Sequence, residues 1–375
     1  MIGCRSTAVP DRRTHNSFGV CKRVPSSPTD ALVPTDARLA KLETWLANVL
    51  GTRDFELRPA SADASFRRYF RVSRGDRSWI AMDAPPGKED LAPYVRVARM
   101  LEEIGVNAPR VLECDEAQGF LLNTDLGSRT YLAELEEGGD ADRLYGDAIA
   151  ALVRIQAGGA KHAALLPPYD APLLRREIAL FPEWFCERHL GLDPERALHV
   201  ESVYEALVVE ALRQPRVFVH RDYHSRNLMV GDGERFGANP GILDFQDAVN
   251  GPLTYDLVSL LRDCYIAWPR ERVEGWVLDF FRSARDAGVP VPESEQALWR
   301  SFDLMGVQRH LKAIGIFARL WHRDGKPGYL KDIPRTLGYV KAVSARYPEL
   351  APLGEWIAAD VEPALARIDP QARLE

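Results

Sequence analysis

Apolar residues recur at helical spacing at Leu39, Leu42, Trp45, Leu46, Val49 and Leu50, with Thr35 or Asp36 able to cap the start and Gly51 to end the run. The period then shortens. Strand-like runs over 55–58, 66–72 and 78–82 follow, the last two separated by Arg74-Gly75-Asp76, a good hairpin turn. Ala84-Pro85-Pro86-Gly87 interrupts, and Asp90 can cap a helix toward Gly105 whose inward side is Leu91, Val95, Ala98, Leu101 and Ile104. Strands over 110–113 and 120–123 flank a turn holding Asp115 and Gly119, completing a small antiparallel sheet with one main helix over it.

Beyond Gly127 the helical period takes over, with amphipathic stretches near 140–157, 172–190, 194–213, 253–268, 271–287, 295–321 and 355–368. Only the segment around 217–245 breaks it, and no internal repeat or low-complexity tract stands out. The pattern predicts an α+β, bilobal chain, with a sheet-based lobe over 35–124 and a larger helical lobe over 125–375. The first 34 residues differ, mixing Arg5, Arg12, Arg13, Lys22 and Arg23 with Ser, Thr and Pro and lacking the apolar core of a secretory signal. They read as a disordered extension, with a basic targeting arm as the alternative.

Composition narrows the classes. With 375 residues, 46% of them hydrophobic, the chain can bury the core of two lobes. A formal net charge of -6 argues against general nucleic-acid binding. No run approaches the roughly 20 apolar residues that span a bilayer. The five cysteines are odd in number, dispersed and without a Cys-x-x-Cys pair, which disfavours a disulfide framework or structural zinc and fits a reducing cytoplasm. No obligate protein partner is implied; the expected partner is a small molecule.

The chemistry lies where the helical pattern breaks. Val217-Phe218-Val219 leads into His220-Arg221-Asp222-Tyr223-His224-Ser225-Arg226-Asn227, and Gly241-Ile242-Leu243 into Asp244. Apolar runs of that length suit buried strands that hold the polar residues rigidly on either side of one site. Phosphoryl transfer requires positioning and charge neutralisation: a carboxylate for the attacking hydroxyl and oxygen ligands for Mg²⁺ on the phosphates. Asp222 fits the first role, and Asn227 and Asp244 the second. The nucleotide would lie in the cleft where the lobes join, near 123–127.

These residues resemble the catalytic loop of the aminoglycoside phosphotransferase family, and Leu243-Asp244-Phe245-Gln246-Asp247 through Gly251-Pro252 to Tyr255-Asp256-Leu257 resembles its metal-binding segment. Within the family, 61–71, Met82-Asp83-Ala84-Pro85-Pro86, 244–265 and Gln308-Arg309-His310-Leu311-Lys312 through Arg319 resemble a branch acting on N-acetylated amino sugars. The resemblance implies a bilobal protein-kinase-like fold, ATP and Mg²⁺, and transfer to the anomeric hydroxyl of N-acetylmuramate and N-acetylglucosamine, in peptidoglycan recycling and UDP-sugar synthesis. It also implies that the backbone around Leu122, Asn123 and Asp125 meets adenine. One departure stands out: the Ile80-Ala81-Met82 run ends in methionine where many kinases carry a phosphate-contacting lysine. Arg67 or Arg68 can supply that charge, with Lys88 a weaker candidate; both arginines can equally be solvated strand residues.

Other polar residues have plainer readings. His220, Arg221 and Asp256 read as structural support for the loop, and His224 as an acceptor contact or a solvent-facing residue. Asp247 is a second metal ligand or a turn residue. At about 100° per residue, Arg309, Lys312, Arg319 and Arg323 share one arc of a helix, a basic stripe that suits an anionic acceptor unless it is a solvated face. Trp184, His189 and Trp321 are stacking candidates that are equally core residues. Two alternatives stay open: the same fold with an aminoglycoside, choline-like or other alcohol acceptor, and a nucleotide-binding pseudokinase.

Overall fold

The computed structural model describes residues 36–62 and 66–372. The amino-terminal extension, the Thr35 cap candidate and part of the 61–71 segment lie outside the described residues. Helix α1 (Ala37–Leu50) starts at Asp36, whose carboxylate accepts the N–H groups of Arg38 and Leu39, and stops at Gly51 in the left-handed conformation. Strands β1 (Glu56–Ala62), β2 (Arg68–Arg74), β3 (Arg77–Asp83), β4 (Val111–Asp115) and β5 (Phe120–Thr124) form an antiparallel sheet in the order β1-β2-β3-β5-β4.

The sheet is covered on both faces, where one main helix was expected. Leu42 and Leu46 of α1 pack on Phe70, Val72, Ala81, Phe120 and Leu122. On the other face Met82 and Leu121 join Val95, Ala98 and Leu101 of α2 (Ala92–Ile104). Side chains alternate along a strand, so the residues between the α1-facing positions point to the second face and toward the cleft.

Beyond α3 (Tyr131–Glu136) the chain is a helical lobe: α4 (Ala141–Gly159), α5 (Ala171–Ile178), α6 (Glu201–Arg213), α7 (Tyr255–Leu261), α8 (Arg270–Asp286) and α9 (Glu295–Asp324), followed by α10 (Ile333–Ser344) and shorter turns. The helix expected near 253–268 ends at Leu261. Helix α10 went unrecognised in the sequence although Ile333, Leu337 and Val340 are buried at helical spacing, because Pro327, Pro334 and Pro348 break up the surrounding pattern. Helix α9 runs through the lobe and is buried on several sides; a Cβ on its Gly315 would meet the backbone of Leu180 at 2.3 Å, so the following turn, 181–189, can pack closely only against glycine.

Candidate active site

Two short antiparallel ladders frame the polar segment. Strand β6 (Arg216–Val219) pairs with β9 (Val249–Pro252), and β7 (Leu228–Met229) with β8 (Gly241–Ile242). The loop 220–227 runs from β6 to β7, and Asp244 follows β8. The pairing Leu228 to Ile242, extended by Leu243 N–H donating to the Asn227 carbonyl at 2.9 Å, brings Asp244 beside Asn227. The Asn227 amide donates to the Asp222 carbonyl at 3.0 Å and to Asp244 Oδ2 at 3.3 Å. The three residues singled out for phosphoryl transfer are therefore one cluster.

The backbone is strained there. Arg221 has φ 80° and Asp244 φ 62°, a region costly for residues with a Cβ. Side chains hold both in place: Asp256, on the first turn of α7, accepts the N–H of His220 at 2.6 Å and of Arg221 at 2.9 Å, and Gln246 donates to Asp244 Oδ1 at 2.8 Å. Burial pushes the Asp256 carboxyl up to about 7 despite these two N–H donors. Burial likewise lowers His220 to about 4, keeping it a neutral structural imidazole edge-on to Tyr223.

Burial alone would raise the Asp222 carboxyl, but Lys312, His224, Arg221 and Arg309 together hold it below the ordinary carboxylate value. It is a carboxylate at neutral pH, able to accept a proton. Two of these cations are anchored by Glu177 on α5, a residue missed in the sequence: Glu177 pairs with Arg221 and with Lys312 at 3.0 Å and accepts from the Tyr169 hydroxyl. Its signal was present, since Glu177 lies between Leu174 and Ile178 on the apolar side of its helix.

Arg309 and Lys312 do not form a solvated stripe; both are buried. Lys312 also donates to the Tyr255 hydroxyl at 2.9 Å, which makes it a structural cation. Arg309 reaches only Cys264 Sγ, at 3.7 Å, and its Nε has no hydrogen-bond partner among the described residues. Arg319 is half-buried nearer the end of α9, beside Arg323, and does not join the cluster. His224 is buried, edge-on to Tyr265, and its Nδ1 has no hydrogen-bond partner among the described residues. Asp247 has an exposed side chain. Of the stacking candidates, Trp184 lies under Arg188, His189 meets His322 at 3.1 Å and Trp321 is exposed.

A cavity of about 360 Å³ lies between the lobes, lined by Tyr69, Arg71, Ile80, Asn123, Asp125 and Leu126 on one side and by Asn227, Met229, Leu243 and Asp244 on the other. Asn123 and Asp125 are thus where a nucleotide site was expected. The Leu122 side chain packs under α1, one residue out of phase with Asn123, so any part it takes in such a site is through its backbone. Arg68 is turned outward to Asp36 and Asp83 on the α1 side of the sheet. Arg67 is on the other parity and pairs with Glu89 at 3.1 Å; neither arginine lines the cavity. Lys88 sits over the Phe66 ring. Arg71 and Arg226 do line the cavity, and Arg71 is bound to both carboxylate oxygens of Asp125, at 2.8 and 3.0 Å, and to the Gly127 carbonyl at 2.7 Å. It fastens the sheet to the interlobe connection, a contact that no local pattern reveals.

Residues 56–298 match the model of the phosphotransferase enzyme family. The chain is 49% identical over 336 residues to a Pseudomonas aeruginosa protein named N-acetylmuramate/N-acetylglucosamine kinase, covering 86% of this chain and 97% of the relative. Proteins of the same name from Neisseria meningitidis and Caulobacter vibrioides are 48% and 32% identical, over 84% and 86% of this chain and 94% and 96% of theirs. Among solved structures, a choline kinase from Streptococcus pneumoniae superposes with a TM-score of 0.56 at 11% identity, covering 82% of this chain and 99% of that one. An ADP-bound aminoglycoside phosphotransferase gives 0.52 at 17% identity, covering 80% and 97%. These two likenesses show the bilobal kinase-like fold.

Proposed function

The chain belongs to the phosphotransferase enzyme family, and from that premise we propose that it transfers the γ-phosphoryl group of ATP to the anomeric hydroxyl of N-acetylmuramate and N-acetylglucosamine. The products are ADP and sugar 1-phosphates, which suits the recycling of cell-wall amino sugars in the cytoplasm. The observation that carries the reaction type is that Asn227 and Asp244 line the interlobe cavity while the Asn227 amide ties both to each other and to the backbone of Asp222. The activity named for relatives 48–49% identical over most of the chain supports the acceptor.

Each residue has a task. Asp222, kept ionised by the surrounding cations, orients the sugar hydroxyl and accepts its proton as the oxygen attacks phosphorus. Asn227 turns its amide nitrogen to two protein acceptors, leaving its oxygen as the ligand atom; with Asp244 it makes the hard oxygen set that Mg²⁺ prefers. The ion, when bound, neutralises charge on the phosphates. Asp256 and Glu177 position the loop without touching substrate.

Arg309 supports the choice of acceptor. A buried guanidinium with little protein hydrogen bonding, on the Asp222 side of the site, suits the lactyl carboxylate of N-acetylmuramate and repels a cationic aminoglycoside. The test is a phosphorus NMR assay of the purified chain with ATP, Mg²⁺ and each sugar in turn, alongside an aminoglycoside. A sugar 1-phosphate signal is expected with both amino sugars, and no turnover of either would reject the proposal.

A further inference from the structure

Among the described residues two cations line the interlobe cavity, Arg71 and Arg226, and the first is held by Asp125 and Gly127. Arg226 is not so held. It precedes Asn227 in the loop between β6 and β7 and is half-buried, yet its guanidinium makes no hydrogen bond and no ion pair among the described residues. It lies on aromatic faces, 3.7 Å from the centroid of the Tyr265 ring and 5.6 Å from that of Tyr329. A stacked guanidinium keeps the N–H donors on its rim free for an oxyanion, and its long stem is ordered in advance.

Its neighbours set its place. Tyr265 also meets His224 edge-on, with ring centroids 5.3 Å apart, and His224 is among the groups that hold Asp222 ionised. Burial raises the Asp332 carboxyl and Arg226 draws it back, but the two do not pair. A phosphoryl group in transit passes between the oxygen ligands at Asn227 and Asp244 and the hydroxyl at Asp222, the interval that loop residues 222–227 bridge. We infer that the guanidinium of Arg226 binds the oxygens of that phosphoryl group as it moves, supplying from the helical lobe the positive charge that the strand position of Met82 lacks. In this step the sugar oxygen bonds to phosphorus, the bond to the oxygen bridging the β- and γ-phosphates breaks, and the hydroxyl proton passes to Asp222. Arg226 moves no proton; it stabilises charge that is greatest midway. The inference rests on the ATP-dependent reading above and deepens it.

Arg226→Met keeps an unbranched stem on Tyr265 and removes the donors. With the full chain, ATP, Mg²⁺ and N-acetylglucosamine, its kcat is expected to fall by about 10²–10³-fold, while the KM values for ATP and sugar stay within about threefold of the wild type. Arg226→Ala is expected to lose as much and to regain about tenfold or more with millimolar guanidinium chloride, far below the molar range that unfolds proteins. A merely structural arginine gives no such rescue. Calorimetry supplies a readout apart from turnover: ADP with aluminium fluoride, a stand-in for the phosphoryl group in transit, binds the variants more weakly in proportion to kcat, whereas ADP alone binds all three proteins alike. The inference is overturned by a variant whose kcat stays within about threefold of the wild type, by a loss confined to the KM for sugar, or by guanidinium that restores nothing to Arg226→Ala. Absence of any ATP-dependent turnover by the wild type would instead overturn the reading beneath it.

Discussion

The side-chain amide of Asn227 donates to the carboxylate of Asp244 at 3.3 Å, joining residues that belong to different arms of one small ladder. That contact fixes the two side chains proposed as Mg²⁺ ligands relative to each other. Asp244→Asn keeps the shape and removes the charge. It is expected to lower kcat by about 10²-fold or more, as loss of a charge-stabilising group commonly does, and to raise the Mg²⁺ concentration at half-maximal rate. Activity titrated against Mg²⁺ checks this; an unchanged titration would remove Asp244 from the ion site.

Asp222→Ala removes the proposed proton acceptor while leaving the cavity lining intact. A fall in kcat of about 10²–10⁴-fold is expected, with ATP affinity by calorimetry nearly unchanged. The cations around Asp222 hold its pKa below the ordinary carboxylate value of 3.8. Its protonation therefore contributes no acid limb to the rate profile between pH 5 and 8, and a limb in that range that vanished in Asp222→Glu would contradict its assignment.

Glu177 neutralises Arg221 and Lys312 in a buried setting. Glu177→Gln leaves two cations without their shared carboxylate, a change that costs about 3–5 kcal/mol for buried pairs. The expected result is a lower denaturation midpoint together with a lower kcat, since Arg221 sits in the strained turn of the catalytic loop. A variant as stable and as active as the wild type would show that the network does not brace the loop.

Arg309→Leu tests the acceptor assignment. Its KM for N-acetylmuramate is expected to rise by about tenfold or more, whereas that for N-acetylglucosamine, which has no carboxylate, changes by only a few-fold. Equal effects on both sugars would assign Arg309 to holding Asp222 and not to reading the lactyl group.

Stability should fall in mild acid. Buried His220 and His310 have values lowered from 6.5 to about 4 and about 3. The unfolded chain binds protons there first, so their contribution is present above pH 6.5 and is lost as pH falls through the folded values. Asp256 acts oppositely: raised from 3.8 to about 7, its contribution is present below 3.8 and lost as pH rises through 7. Each group is worth about 1.4 kcal/mol per pH unit inside its window, so these two histidines together outweigh the aspartate between pH 6 and 4.5. Urea unfolding across this range measures it, and His310→Gln should flatten the slope.

By itself the sequence determined the sheet lobe, most helices of the second lobe and the trio Asp222, Asn227 and Asp244. Strand periodicity, the Asp36 cap and a short stretch of chain carry those locally, and the turns that unite the trio lie within one segment. Arg68 was offered as a phosphate contact and Lys312 as part of a basic stripe, and only the tertiary structure decided that the first turns to Asp36 and Asp83 and the second is buried against Glu177. The same holds for Arg71 on Asp125. Periodicity says which side of an element a residue occupies; which partner waits there depends on distant packing, and desolvation of charges and amides exists only once that packing has excluded water.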